Sequence, residues 1–396
     1  MTTDPRPKTS DLKDRARATI DAQGPALVDL SHRIHGDPEI GWQEVRSSAL
    51  VADALGVGGF DVTRSVAGMP TAFLARTGDG PLHVAILAEY DALPGIGHAC
   101  GHNIIAASSC GAALALAPLA DELGMTVTVL GSPAEEVGDG GGKQQLIAAG
   151  AFDDVRLAMM VHPAPYDASD PPMIAASMFE ACYTGKEAHA SAAPELGINA
   201  GDALTVAQVA IGLLRQSLLP TARVHGFVTH GGEAPNIIPA HTSARYIVRG
   251  WTLTELEDVR TKVLRCFEAG ALATGATLEI VGGMEPYAEV RHDPDLAARY
   301  QANAETLGRV FGDLGQIRTR GSGSTDMGNV SHLVPTIHPF IRIETDGAVN
   351  HQPEFTAAAA TPSGDKAVID GATAMAWTAI DAATEPELRA RLLRRD

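Results

Sequence analysis

The chain has little cysteine. Its four cysteines, Cys100, Cys110, Cys182 and Cys266, are scattered through 396 residues. They form no small-domain disulfide framework and read as reduced thiols, which points to the cytoplasm. Basic residues are scarce as well: 30 Lys and Arg stand against 48 Asp and Glu, a formal net charge of −18. Such a surface repels a phosphate backbone and an anionic bilayer, so neither nucleic acid nor membrane is an expected partner. No apolar run reads as long enough to cross a bilayer. The opening MTTDPRPKTSDLKD has no signal-peptide core, and residues 1–10 read as a frayed tail. No G-x-S-x-G elbow is present, which argues against a serine hydrolase. The glycine run GDGGGKQ, residues 138–144, lacks the first-glycine spacing of a phosphate loop. It also has Gln144 where Ser or Thr would bind magnesium.

What is present is a long chain rich in turn formers, with 41 glycines. Its length exceeds one ordinary core, so more than one domain is expected. Residues 11–55 carry a helical pattern. Residues 73–75 and 82–88 read as strands, the second almost continuously apolar, as in a strand buried on both faces. A small-residue helix over 103–123, a strand over 125–130, a short helix ending near 150 and a strand over 155–161 follow. This alternation predicts an α/β catalytic domain with a mixed, mainly parallel sheet flanked by helices. Near residue 175 the character changes. Strands over 178–185, 223–229, 244–248 and 276–281 accompany helices over 200–218 and 254–271. They predict an inserted α+β unit, an open-faced sheet with two helices on one side. The first pattern then resumes, with a helix over 295–311, a turn-rich loop over 321–326, a strand over 334–343 and a closing helix over 357–382. The expected units are 1–174, 175–288 and 289–396.

Several metal-ligand residue types follow strand-like runs. Cys100 and His102 in GHACGHN can face one pocket if Gly101 permits a sharp turn, and Asn103 is placed to cap the next helix. The adjacent carboxylates Glu135 and Glu136 in SPAEEVG would repel unless a cation offsets them. Pointing different ways, one can bind metal while the other moves a proton. His162 precedes a proline and lies where ligands of open sheets collect, and His351 occupies a similar place before the last helix. Thiolate, imidazole and carboxylate together suit zinc, with manganese or cobalt also possible occupants.

The stretches AEYDALPGIGHACGHN, SPAEE, VHP, GKEAHASAAPELGINA, GGEAPNIIPAHTSARYIVRG, GSTDMGNVS and VNHQPEF resemble the metal-dependent aminoacylase and carboxypeptidase superfamily. More narrowly, the chain is similar to the amidohydrolase branch of hippurate hydrolase, indoleacetyl-amino-acid hydrolase, aminobenzoyl-glutamate hydrolase and β-alanyl-lysine-type dipeptidases. The resemblance implies two divalent ions, zinc or manganese, held by Cys100, His102, Glu136, His162 and His351, with Cys100 shared. It implies Glu135 as general base and Asp91 as the residue that orients a ligand. Glu89 stands where other branches place a metal-binding histidine. The inserted unit would be a lid and dimerisation domain. Its His189 would reach the active site of a neighbouring subunit in a homodimer, Asn236 would contact substrate, and Arg249 would bind a substrate carboxylate. The implied substrate is a small N-acyl amino acid, an aminobenzoyl-glutamate-like conjugate or a dipeptide. A broader metallo-carboxypeptidase and a non-catalytic dimeric binding protein are the rival readings.

Overall fold

Continuous apolar runs become strands covered on both faces. In a computed structural model, which describes residues 8–321 and 323–394, the strands are assigned as follows. They are β1 (Asp61–Arg64), β2 (Phe73–Thr77), β3 (Leu82–Glu89), β4 (Met125–Ser132), β5 (Leu157–Met159), β6 (His162–Ala164), β7 (Ala175–Thr184), β8 (Arg223–His230), β9 (His241–Gly250), β10 (Thr277–Gly282), β11 (Thr336–Ile337) and β12 (Phe340–Arg342). Residues 1–7 of the expected tail and Ser322 of the turn-rich loop lie outside the described residues.

The larger sheet runs β1-β2-β4-β3-β5-β11. Its centre is parallel, and β1 and β2 add an antiparallel edge. Every residue of β3 and β4 is buried. Alternation then sorts the side chains between two cores. Leu82, Val84, Ile86 and Ala88 of β3 join the core built with helices Thr9–Gly36, His102–Leu116 and Pro362–Thr384. Ala85 and Leu87 join the opposite core, with Leu146, Phe152 and Val330. Close helix packing requires small residues: a Cβ at Gly111 would lie 2.8 Å from Leu27 Cδ1 and 2.9 Å from Ala372 Cβ.

The smaller sheet, β10-β7-β9-β8, is antiparallel throughout. Helices Ala200–Leu214 and Leu253–Thr274 pack on it around Phe179, Tyr183, Tyr246 and Phe267, which gives it a core of its own. The expected open-faced sheet with two helices is what forms here.

Prolines account for several differences from the sequence reading. The 11–55 pattern is two helices, Thr9–Gly36 and Val45–Val57. Between them Asp37, the residue before Pro38, leaves the helical region at φ −135°, ψ 66°. The closing helix is likewise two, because Pro362 starts a new one after Pro353–Ala358. Helix Pro294–Thr306 stops short of 311, where Gly308 turns at φ 84°. The runs over 155–161 and 334–343 each break, so β5 pairs with β11 while the offset β6 pairs with β12. Asn103 is not a cap. It is inside its helix, with its amide bonded to Ser31 Oγ and the Ala359 carbonyl, and Gly101 holds the cap position. The stretch His102–Leu123 is in fact long and apolar enough to cross a bilayer, but 83% of it is buried inside the fold, as in a core helix.

Candidate metal centre

The carboxyl ends of the parallel strands converge on one cavity of about 610 Å³, the expected place for a site in such a sheet. β3 ends in Glu89 and leads through Asp91 to Cys100 and His102. The turn works because Gly101 adopts φ 72°, and because a Cβ there would meet Pro163 Cγ at 2.6 Å. β4 runs into Ala134, at φ 57°, and a single 3₁₀ turn carries Glu135 and Glu136. Buried Glu44 fixes that turn: its carboxylate accepts from the Ala134 N–H at 2.8 Å, the Trp42 N–H at 2.9 Å and the Thr71 hydroxyl at 2.9 Å. Burial, reinforced by nearby Asp91, raises the Glu44 pKa to about 7. β6 begins with His162. His351 sits at φ 70°, an uncommon conformation for a residue other than glycine, and its N–H donates to the Ala99 carbonyl.

The five expected ligands come together. Donor atoms of Cys100, His102 and His162 lie within 4.8 Å of one another, and so do those of Cys100, Glu136 and His351. Cys100 therefore belongs to both groups. His102 donates from Nδ1 to the Asp91 main-chain oxygen at 2.9 Å and to Oδ1 at 3.0 Å, which leaves Nε2 to face the cluster. Asp91 Oδ2 accepts the Glu136 N–H at 3.0 Å, so one carboxylate orients two of the five. His162 uses Nδ1 on the Pro163 carbonyl, leaving Nε2 available.

The cluster has too much negative character to stand alone. Burial pushes the Cys100 thiol well above its usual range, and Glu136 and Glu135 push it further. Burial and the charges of Glu89, Glu136 and Asp326 raise Glu135 in the same way. Burial opposes a charge on His102, but Asp91, Glu89 and Glu136 outweigh it and raise its pKa. Desolvation, with His102 beside it, lowers the half-buried His162 to about 4, so it stays neutral. His102 Nε2 and Glu136 Oε1 are buried without a hydrogen-bond partner among the described residues. Orphaned acceptors, a neutral imidazole and a thiol that ionises only beside a cation together fit divalent metal.

Arg249 also lines this cavity. It comes from β9 and donates to Ser324 Oγ at 2.6 Å. His189 and Asn236 do not line the cavity. Both are exposed, on adjacent loops of the smaller sheet's unit, and the Asn236 carbonyl accepts the Ala190 N–H. His189 Nδ1 accepts from the N–H groups of Ser191 and Ala192.

Four further residues escaped the sequence reading. Lys143 is wholly buried and pairs with Glu89 and Asp326. Tyr287 Oη donates to the Glu135 carbonyl at 2.8 Å and accepts the Gly138 N–H at 3.2 Å, tying the end of the inserted segment to the acidic turn. His338 is buried 5.5 Å from the His162 ring, with neither ring nitrogen bonded among the described residues. For Lys143 and Asp326 there was a signal: a lysine inside the glycine run and an acid inside the GSTDMGN stretch.

A model of the peptidase family M20/M25/M40 matches residues 56–370, well over half of the chain. The mouse Xaa-Arg dipeptidase is 39% identical over 391 residues, covering 95% of this chain and 90% of the relative. One of the subunits of the p-aminobenzoyl-glutamate hydrolase of Escherichia coli is 32% identical, covering 66% of this chain and 58% of that protein. Among solved structures, a dinuclear metal-binding peptidase from Bacillus subtilis superimposes with a TM-score of 0.66 at 22% identity, covering 91% of this chain and 99% of that one.

Proposed function

We propose that this chain, which belongs to peptidase family M20/M25/M40 and hydrolyses amide or peptide bonds, does so with two divalent ions, zinc or manganese, on a small N-acyl amino acid, aminobenzoyl-glutamate-like conjugate or dipeptide. The observation that carries this reading is the double membership of Cys100. With Cys100 common to two donor groups, His102 and His162 in one and Glu136 and His351 in the other, these residues would hold two ions. Bound there, the ions would supply Lewis acidity and a water acidified from its bulk pKa of about 15.7 toward neutrality.

The chain's own groups do the rest. Glu135, beside the ligand cluster and facing the cavity, takes the proton of the attacking water and passes it to the leaving amine. Asp91 keeps His102 in one tautomer and holds the Glu136 backbone. Arg249 lines the cavity with its guanidinium bonded to the Ser324 hydroxyl, and is suited to a substrate carboxylate. His189 and Asn236 complete the site of a second copy in a homodimer, with His189 steadying charge on the carbonyl oxygen. Their exposure in their own chain supports this. Four free cysteines favour the cytoplasm.

The test is a substrate panel. Metal-loaded protein is incubated with N-acyl amino acids, aminobenzoyl-glutamate, β-alanyl dipeptides and longer peptides, with and without chelator. Free amine should appear from the small substrates alone and vanish with chelator. No release from any of them, or release indifferent to chelator, would overturn the reading.

A further inference from the structure

Behind the sulfur- and nitrogen-rich cluster lies a second one made of oxygen. Carboxylate oxygens of Glu89, Glu135 and Asp326 lie within 4.8 Å of one another, and all three residues are buried. Three carboxylates this close cannot all stay ionised in a buried space without a cation. The cation present is Lys143, at 0% exposure. Its Nζ is 2.5 Å from Glu89 Oε1 and also pairs with Asp326 Oδ1, while its main-chain N–H donates to Asp326 Oδ2 at 3.0 Å. Glu135 is the member of the trio that Lys143 does not ion-pair, and it is the one that lines the cavity.

We propose that Lys143 is a positioning residue: its ammonium is the built-in cation of this trio, keeps a further divalent ion out, and leaves Glu135 uncommitted. The chemistry argues for it. An all-oxygen cluster of this size suits a hard divalent ion, and Glu135 recruited as such a ligand could no longer accept a proton. An ammonium on a four-carbon stem, fixed by the first turn of helix Gly142–Ala148, fills the same space with charge but without coordination. Asp326 and Glu89 restrain it from two sides. Each comes from a different segment, at the N-terminus of helix Met327–Ser331 and at the end of β3, so the arrangement is set by the fold. The proposal rests on the reading of Glu135 as base.

Lys143→Met keeps the stem and removes the charge. Wild type and variant are loaded with Mn²⁺, dialysed, and their metal content is measured per folded chain, without substrate. The variant should hold one ion more than wild type. Its kcat should fall about 100-fold, the scale of a disabled base, while KM changes less than about threefold. Equal metal content in the two proteins overturns the proposal. If Lys143→Met does not fold, Lys143→Met with Asp326→Asn removes one charge of each sign. That double variant should match wild type in metal content, since the cluster keeps its net charge, and its kcat should fall less than about tenfold, since Glu135 stays uncommitted. An extra ion in the double variant, or a rate at least about 30-fold below wild type at equal metal content, would overturn the proposal. Because metal content is compared between two proteins and needs no substrate, it stands even if wild type cleaves nothing in the panel, a result that would sink the proposed function instead.

Discussion

The two sheets solve the same burial problem to different degrees. In the larger one, helices cover both faces, β3 and β4 have no exposed residue, and the donor cluster sits inside one chain. In the smaller one, helices cover one face only. Strand β8 is an edge with Phe227 at 62% exposure and Val228 at 43%, and β10 at the other edge leaves Val281 half exposed. The first unit is complete as folded. The second is built like something meant to be covered, because an exposed apolar edge strand is a liability that proteins seldom leave open. His189 and Asn236 belong to the unit that is left open. Chemistry needing few residues at fixed distances has thus been put on the closed sheet, and what remains available for a second molecule on the open one.

The strongest way to break this contrast is to separate the two contributions. Glu135→Gln should lower kcat about 10³-fold with metal content unchanged. His189→Ala should also disable the enzyme while leaving its own donor cluster intact. Mixing the two inactive chains should restore about a quarter of wild-type activity, since half the dimers are then mixed and each has one sound site. Failure to recover activity after verified subunit exchange would place the whole site within one chain. A smaller effect should follow a charge on the open edge. Phe227→Lys should weaken the proposed dimer roughly 10-fold or more by sedimentation velocity, while each chain still melts cooperatively. A dimer of undiminished strength would move the contact away from β8.

The smallest effect sharpens the closed side. Glu44 has a folded pKa of about 7 against an ordinary 4.5, so between these values the folded chain keeps a proton that the unfolded chain releases. The contribution of Glu44 to stability therefore falls as pH rises from 4.5 through 7, by about 3 kcal/mol at most. Glu44→Gln retains an oxygen for the Ala134 and Trp42 N–H groups. It should show a smaller loss of Tm than wild type between pH 5 and pH 8. Equal losses would mean that Glu44 is not the group responsible.

Much of this was legible in the residues. The runs in β3 and β4 announced themselves because strands buried on both faces admit almost no polar side chain. The candidate ligands were visible because each is a metal-binding residue type placed after a strand-like run, and Asp91 because its motif carried the resemblance. The helix breaks at Pro38 and Pro362 were harder to see, since apolar spacing continues through both. Lys143 was hidden for a stronger reason. A lysine in a glycine run reads as a surface loop until Asp326, 183 residues further along, is known to lie against it. Nor could the sequence tell that β5 and β11 each break before resuming in β6 and β12, the offset that places His162 at the start of a strand.

Gly101 bears on anyone who would move this site to another scaffold. The donors are five, but copying those five would fail. Any side chain between Cys100 and His102 would face both an unfavourable φ of 72° and the ring of Pro163 at 2.6 Å. The smallest portable piece is therefore the donors together with a residue that contributes no atom to the chemistry and the proline that crowds it. A graft that omits this pair would carry the right ligands on a backbone unable to bring them to one point.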